Sequence, residues 1–308
     1  MSAGTPPVQL ASANSASSEL RGQPLPPTLR YQEGKFRNSR DQELFYLAAF
    51  PELPELLETP GLRRRRQTRG VRAVVLFLHA LGDHSRRYSY LYEHLCEHGF
   101  GVIAYDFVSH GASDSCSHGL RAHAARFRYF VDDTNEFVTF AKNAIFPKML
   151  QSTSSCSPPI VVGGYSYGTL VGVHTVLSRQ HDFAGICFVG PSLWVRLTPM
   201  LKLQAAFARP LSKFFPKARI VPAIKREWLI TQRGSAFSQV AVLFLVGSED
   251  RVVCRKQDDR FFDRLGNHDK ELKVFNGLYH CLLEDPERDD VLRYLTHWLE
   301  RRFPEGVK

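Results

Sequence analysis

Nowhere does this chain of 308 residues contain a run of about 18 apolar residues, so no membrane-spanning helix is expected. Residues 1–20 lack the basic start and apolar centre of a secretory leader. The six cysteines (96, 116, 156, 187, 254 and 281) stand in no metal-ligand spacing. They read as reduced thiols of a cytosolic protein, with no metal and no cofactor expected. No internal repeat is present. Acid is scarce in one place: residues 191–234 hold nine Lys or Arg and one acid, Glu227, a balance of +8. The whole chain carries +9, so the remainder is nearly neutral. The run Arg63 to Arg66 is the one other basic cluster, and it reads as a solvated loop rather than a nucleic-acid site.

What is present fits one large α/β domain with a small insertion. Residues 1–29 are rich in Ser, Ala and Pro and are expected to be disordered. Phe36 to Phe50 reads as a hairpin around a polar turn at Asn38 to Gln42. After the apolar run Ala73 to Leu78, helix and strand alternate. Helices are predicted over Ser85 to Glu97, Phe127 to Phe146 and Asp289 to Arg302, and strands over Val102 to Tyr105 and Gly185 to Val189.

The segment Ile160 to Leu170 carries the most chemistry. Ile160-Val161-Val162 is a buried strand, Gly164-Tyr165-Ser166-Tyr167-Gly168 is a G-x-S-x-G turn, and Leu170, Val171, Val173, Val176 and Leu177 have helical spacing. A serine on a sharp strand-to-helix turn exposes its hydroxyl at the tip of a sheet, and the flanking glycines make room for the turn. This is the pattern of a nucleophile elbow, with Ser166 the candidate nucleophile.

An elbow needs an acid and then a histidine downstream. The continuous apolar run Ala241 to Val246 reads as a buried strand. Asp250 follows its end, where sites of open α/β sheets lie, with Glu249 the neighbouring alternative. Leu272 to Phe275 reads as a later strand, and His280 lies on the loop after it. His280 is the candidate base and Asp250 its orienting acid. The amide of Tyr167 is one candidate oxyanion donor. The other is the amide of Leu81, on the loop His79-Ala80-Leu81-Gly82 that follows Leu78.

Beyond these groups, His79-Ala80-Leu81-Gly82-Asp83-His84-Ser85-Arg86-Arg87-Tyr88 resembles the H-G-x-G-E-H-S-x-R-Y signature of monoacylglycerol lipases. Asp106 to Asp114 resembles their D-x-x-G-H-G-x-S-x-G run. The resemblance spans roughly Tyr31 to Phe303. It implies the α/β-hydrolase fold: a mostly parallel sheet flanked by helices, with a short helical cap inserted after the sixth strand. The domain boundaries that follow are a core of 30–190 and 236–308 and a cap of 191–235. The implied substrates are monoacylglycerol or lysophospholipid esters, and Asp83 and Arg87 fall where that family has polar residues near the glycerol end. Three departures stand out. Ala80 replaces a glycine, Leu283 replaces a histidine, and the cap lacks a segment between Ile230 and Phe237.

In the cap, cations alternate with bulky apolar residues such as Trp194, Phe207, Phe214 and Trp228. That pattern suits peripheral contact with an anionic membrane. The expected activity is hydrolysis of lipid carboxylic esters through an acyl-enzyme on Ser166. The alternatives are an inactive binding protein of the same fold, and a peptidase or acyltransferase. Epoxide hydrolases and dehalogenases are disfavoured, because their elbow carries Asp where this chain has Ser166.

Overall fold

A computed structural model describes residues 29–52, 70–115, 119–150, 157–193, 237, 239–253 and 255–305. The terminal segment 1–28, the Arg63 to Arg66 run and nearly all of the expected cap lie outside the described residues.

Eight strands form one sheet in the order β1-β2-β4-β3-β5-β6-β7-β8. They are β1 (Leu29–Arg37), β2 (Glu43–Pro51), β3 (Val74–Leu78), β4 (Gly101–Tyr105), β5 (Ile160–Tyr165), β6 (Gly185–Val189), β7 (Ala241–Gly247) and β8 (Lys270–Phe275). β1 and β2 make the expected hairpin, and β2 pairs antiparallel with β4. Every later pairing is parallel, from β3–β4 through β7–β8. β1 begins at Leu29, the last residue of the stretch expected to be disordered, because Leu29 pairs with Pro51 and is buried.

Both faces of the parallel strands are covered, which is why their sequences are continuously apolar. On β3, Val74, Leu76 and Leu78 point to one face and pack with Val162, Val171, Phe188 and Phe244. Val75 and Phe77 point to the other and meet Tyr88, Leu91, Leu95 and Trp298. The covering helices are α1 (Ser89–Glu97), α2 (Arg128–Phe140), α3 (Phe146–Met149), α4 (Tyr167–Ser178), α5 (Arg255–Arg264) and α6 (Arg288–Arg302).

Two predicted helices are each divided. Ser85–Tyr88 is a 3-10 turn leading into α1. The long helix predicted over Phe127 to Phe146 passes through a π turn at Ala141–Ile145 before α3. Pro147 lies in the first turn of α3; it has no N–H and its ring crowds the preceding turn, so a regular α-helix cannot run through it.

The strand order reverses at β3: β4 lies on one side of it and β5 on the other. In open α/β sheets the crevice beyond the strand ends at such a reversal is the usual place for a site. Here it is bounded by the loop after β3 and the elbow after β5.

Candidate active site

Ser166 stands between β5 and α4 with φ +50° and ψ −113°, a conformation that costs a non-glycine residue strain. Packing explains why the chain holds it. A Cβ on Gly168 would lie 2.0 Å from the Leu78 carbonyl oxygen, so only glycine lets α4 approach the end of β3 so closely. Ser166 N–H donates to Val189 O at 3.0 Å, and the Thr169 N–H and hydroxyl both donate to Ser166 O. The turn is thus fixed from both sides. α4 starts at Tyr167, so its positive end faces the Ser166 hydroxyl.

Ser166 Oγ lies 2.9 Å from His280 Nε2, and His280 Nδ1 lies 2.7 Å from Asp250 Oδ2. The three residues predicted from separate strand ends therefore meet in one hydrogen-bonded line. The Val252 and Val253 N–H groups donate to Asp250 Oδ1 at 2.8 and 3.1 Å. Burial pushes the Asp250 carboxyl up, but the His280 hydrogen bond and charge and these two amides outweigh it and hold it below the ordinary value. Among the described residues, the Glu249 carboxylate meets only its neighbour Ser248, at 3.5 Å.

An ionised Asp250 only accepts, so in a neutral His280 ring Nδ1 carries the hydrogen and Nε2 is the acceptor. The single Ser166 hydroxyl proton then points to Nε2, which is the arrangement a general base requires.

The loop after β3 is organised by His79, which is fully buried. Phe107 N–H donates to His79 Nε2 at 2.9 Å, so Nδ1 bears the proton and faces the Ala80 carbonyl at 2.7 Å. The described chain has no cis peptide bond. A trans peptide holds its N–H opposite its C=O. With the Ala80 carbonyl turned to His79, the Leu81 N–H is turned away from it. Asp106 supports the same loop from below, accepting from Ser85 N–H and hydroxyl and from Ala112 N–H.

His79 and His110 have ring centroids 5.3 Å apart, and burial pushes each down to about 4. Unfolded histidines bind protons from about pH 6.5, whereas these do so only near 4. Between those values the unfolded chain holds more protons, so stability is full above about 6.5 and falls as pH drops toward 4. Each histidine contributes about 1.4 kcal/mol per pH unit in that window. The melting temperature is expected to fall steeply between pH 6.5 and 4; a flat profile there would show that both rings are already protonated in the fold.

Asp83 and Arg87 are held by other protein groups. Asp83 accepts from the Tyr88 hydroxyl at 2.6 Å and from His84 N–H at 2.8 Å. Arg87 donates to Glu284 at 2.8 Å and lies 3.9 Å from Asp83. The pair forms a bridge from the loop after β3 to the segment after His280. Glu284 gave no signal in the sequence, because it lies nearly 200 positions away.

Ser192 is the other residue that the sequence did not mark. It is buried, with its Oγ 3.1 Å from Ser166 Oγ. No motif singles out a serine after Pro191; its position just past the end of β6 is the only pointer. Cys281, next to His280, is exposed, and Cys96 and Cys187 are free and buried. Among the described residues, His94, Glu97 and His98 each offer one potential metal-ligand atom within 4.8 Å of the others. They stand at the end of α1 that leads into β4.

The sequence matches the family described as "Serine aminopeptidase, S33" over residues 69–236 and 230–287. Human monoglyceride lipase is 24% identical over 292 residues, covering 82% of this chain and 92% of that protein. Phospholipase YtpA of Bacillus subtilis is 21% identical over 256 residues, covering 72% and 92%. An uncharacterised abhydrolase domain-containing protein of Dictyostelium discoideum is 21% identical, and there the match spans only 26% of the relative's length. Among solved structures, a soluble variant of the Saccharomyces cerevisiae monoglyceride lipase superposes with TM-score 0.63 at 19% identity, covering 90% of this chain and 97% of that one. The fold is therefore that of the α/β-hydrolases, and the chain belongs to the serine aminopeptidase, S33 family, among its lipase- and esterase-type hydrolases.

Proposed function

We propose that this protein hydrolyses carboxylic esters of lipids, monoacylglycerol or lysophospholipid, through an acyl-enzyme on Ser166. The observation that carries the reading is the continuous line from Ser166 Oγ through the His280 ring to Asp250. His280 Nε2 takes the Ser166 proton as Oγ attacks the ester carbonyl, then passes it to the departing alcohol. Asp250 keeps the ring in the required tautomer and stabilises the imidazolium. The Tyr167 and Leu81 amides receive the oxyanion. Water then enters by the same route in reverse, with His280 again the base.

Lipid rather than peptide is favoured by the rim of the site. Among the described residues, the large exposed apolar side chains include Leu81, Val252 and Tyr279, one on each of three loops beside the triad. Such a rim suits an acyl chain. No described helix is long and apolar enough to cross a membrane, so contact with lipid would be peripheral. The charge of residues 191–234 supports an anionic surface as the partner. Similarity to proteins called monoglyceride lipase and phospholipase supports the same substrate class. The family description keeps a peptidase reading open as the second choice.

A matched panel tests the proposal: monoacylglycerols, lysophospholipids, short p-nitrophenyl esters and aminoacyl amides, with the lipids presented in neutral and in anionic vesicles. Turnover of the lipid esters is expected, faster on anionic vesicles and slowed by salt. Preference for the amides would reverse the assignment, and equal rates on both vesicle types would remove the membrane role.

A further inference from the structure

We infer that Ser192 is a catalytic residue whose hydroxyl donates to Ser166 Oγ and speeds release of the acyl group. The inference rests on the reading of Ser166 as nucleophile.

The direction of this hydrogen bond is fixed by counting protons. With Asp250 ionised and the His280 ring neutral, the state in which it acts as a base, Ser166 gives its only proton to Nε2. The Ser166–Ser192 contact of 3.1 Å must then be donated by Ser192. A buried hydroxyl is thus aimed at the oxygen on which the reaction turns.

The backbone around Ser192 is built to hold it there. Its N–H donates to Thr169 Oγ1 at 3.0 Å, and that hydroxyl donates in turn to Ser166 O. Thr169 is fully buried. Two residues earlier, Gly190 has φ +54°, and a Cβ there would come within 2.9 Å of the His280 carbonyl oxygen. The turn Gly190-Pro191-Ser192 therefore threads between the elbow and the base, and no larger residue at 190 would let it pass.

The donated bond changes strength along the reaction. In the acyl-enzyme, the Oγ lone pair is delocalised into the ester carbonyl, and Oγ accepts weakly. When water adds to the carbonyl, with its proton going to His280 Nε2, that delocalisation ends and Oγ accepts again. As the tetrahedral intermediate collapses, the C–Oγ bond breaks, its electron pair stays on Oγ, and His280 returns the proton there. Ser192 keeps its own proton throughout. Its bond is stronger in these transition states than in the acyl-enzyme, so it accelerates deacylation. In acylation, by contrast, Oγ already accepts from Ser192 before attack, and the gain is small.

Rapid-quench intact-mass measurement on the full chain with a p-nitrophenyl ester tests this. The mass gained on Ser166 gives the acylation rate, and its decay gives the deacylation rate. With Ser192→Ala, decay is expected to slow about 3- to 10-fold, the size of one neutral hydrogen bond, while acylation stays within twofold. Acyl-enzyme then accumulates, so kcat and KM fall together and kcat/KM holds. Ser192→Thr, which keeps the hydroxyl, is expected to restore decay. Equal decay in wild type and Ser192→Ala would overturn the role, as would a slowing confined to acylation. If the wild type itself gained no acyl mass on Ser166, the nucleophile assignment would fail instead, which is a separate result.

Discussion

Ester turnover is expected to fall about 10⁴- to 10⁶-fold when Ser166 is replaced by alanine, and labelling by a fluorophosphonate probe is expected to vanish. His280→Ala is expected to cost about as much, because no other described residue offers Ser166 Oγ a base. The double replacement should be hardly worse than either single one, since the two side chains act as one unit. Neither change should unfold the protein. Ser166 is held mainly through its backbone, by Val189 O and by Thr169, and those bonds survive loss of the hydroxyl. The measurement is turnover and labelling side by side with a melting curve. Turnover near the wild-type rate in a folded Ser166→Ala protein would sink the assignment. A loss that merely tracks unfolding is excluded by the melting curve.

The second large effect is expected at Asp250. Asp250→Asn leaves the size of the side chain intact but presents an amide to the His280 ring. The ring then turns its proton toward Ser166 or loses its anchor, and Nε2 no longer accepts. A loss of about 10³- to 10⁴-fold in kcat is expected. The two amides of Val252 and Val253 still bond to the remaining oxygen, so the loop should stay in place. Glu249→Gln, by contrast, removes a charge that touches only Ser248 among the described residues, and little change is expected. If Glu249→Gln proved the more damaging, the orienting acid would be Glu249.

How much could be read beforehand depended on whether local sequence carried the constraint. The elbow was legible because a strained turn demands glycine at fixed offsets from Ser166, and strand and helix periodicity frame it. Asp250 and His280 were legible because each follows an apolar strand, and the chemistry limits the residue types that serve there. The strands β3, β4, β6, β7 and β8 came within two residues for the same reason, whereas β1 begins at Leu29, well before the expected hairpin, because its alternating polar residues carry no apolar run. The π turn at Ala141–Ile145 was missed because the apolar periodicity continues through Pro147. Ser192 was invisible: its role comes from the route of the turn after β6, which depends on Gly190 passing His280. The contact of Arg87 with Glu284 depends on chain segments brought together only by the finished sheet. Of the cap, sequence shows charge and amphipathic spacing, but its expected placement lies outside the described residues.

The sheet order has a bearing on how activity is acquired during synthesis. Ser166 and its turn are complete once β5, α4 and β6 have assembled beside β3, all within the first 190 residues. His280, the proposed base, is 114 positions further on, carried by the loop after β8. β8 is the outermost strand, paired on one side only, with β7. A growing chain that has folded its central strands thus holds a poised serine with nothing to take its proton. On the proposed assignment, Ser166 stays chemically silent until the last strand docks, so a partly made chain is unable to attack an ester.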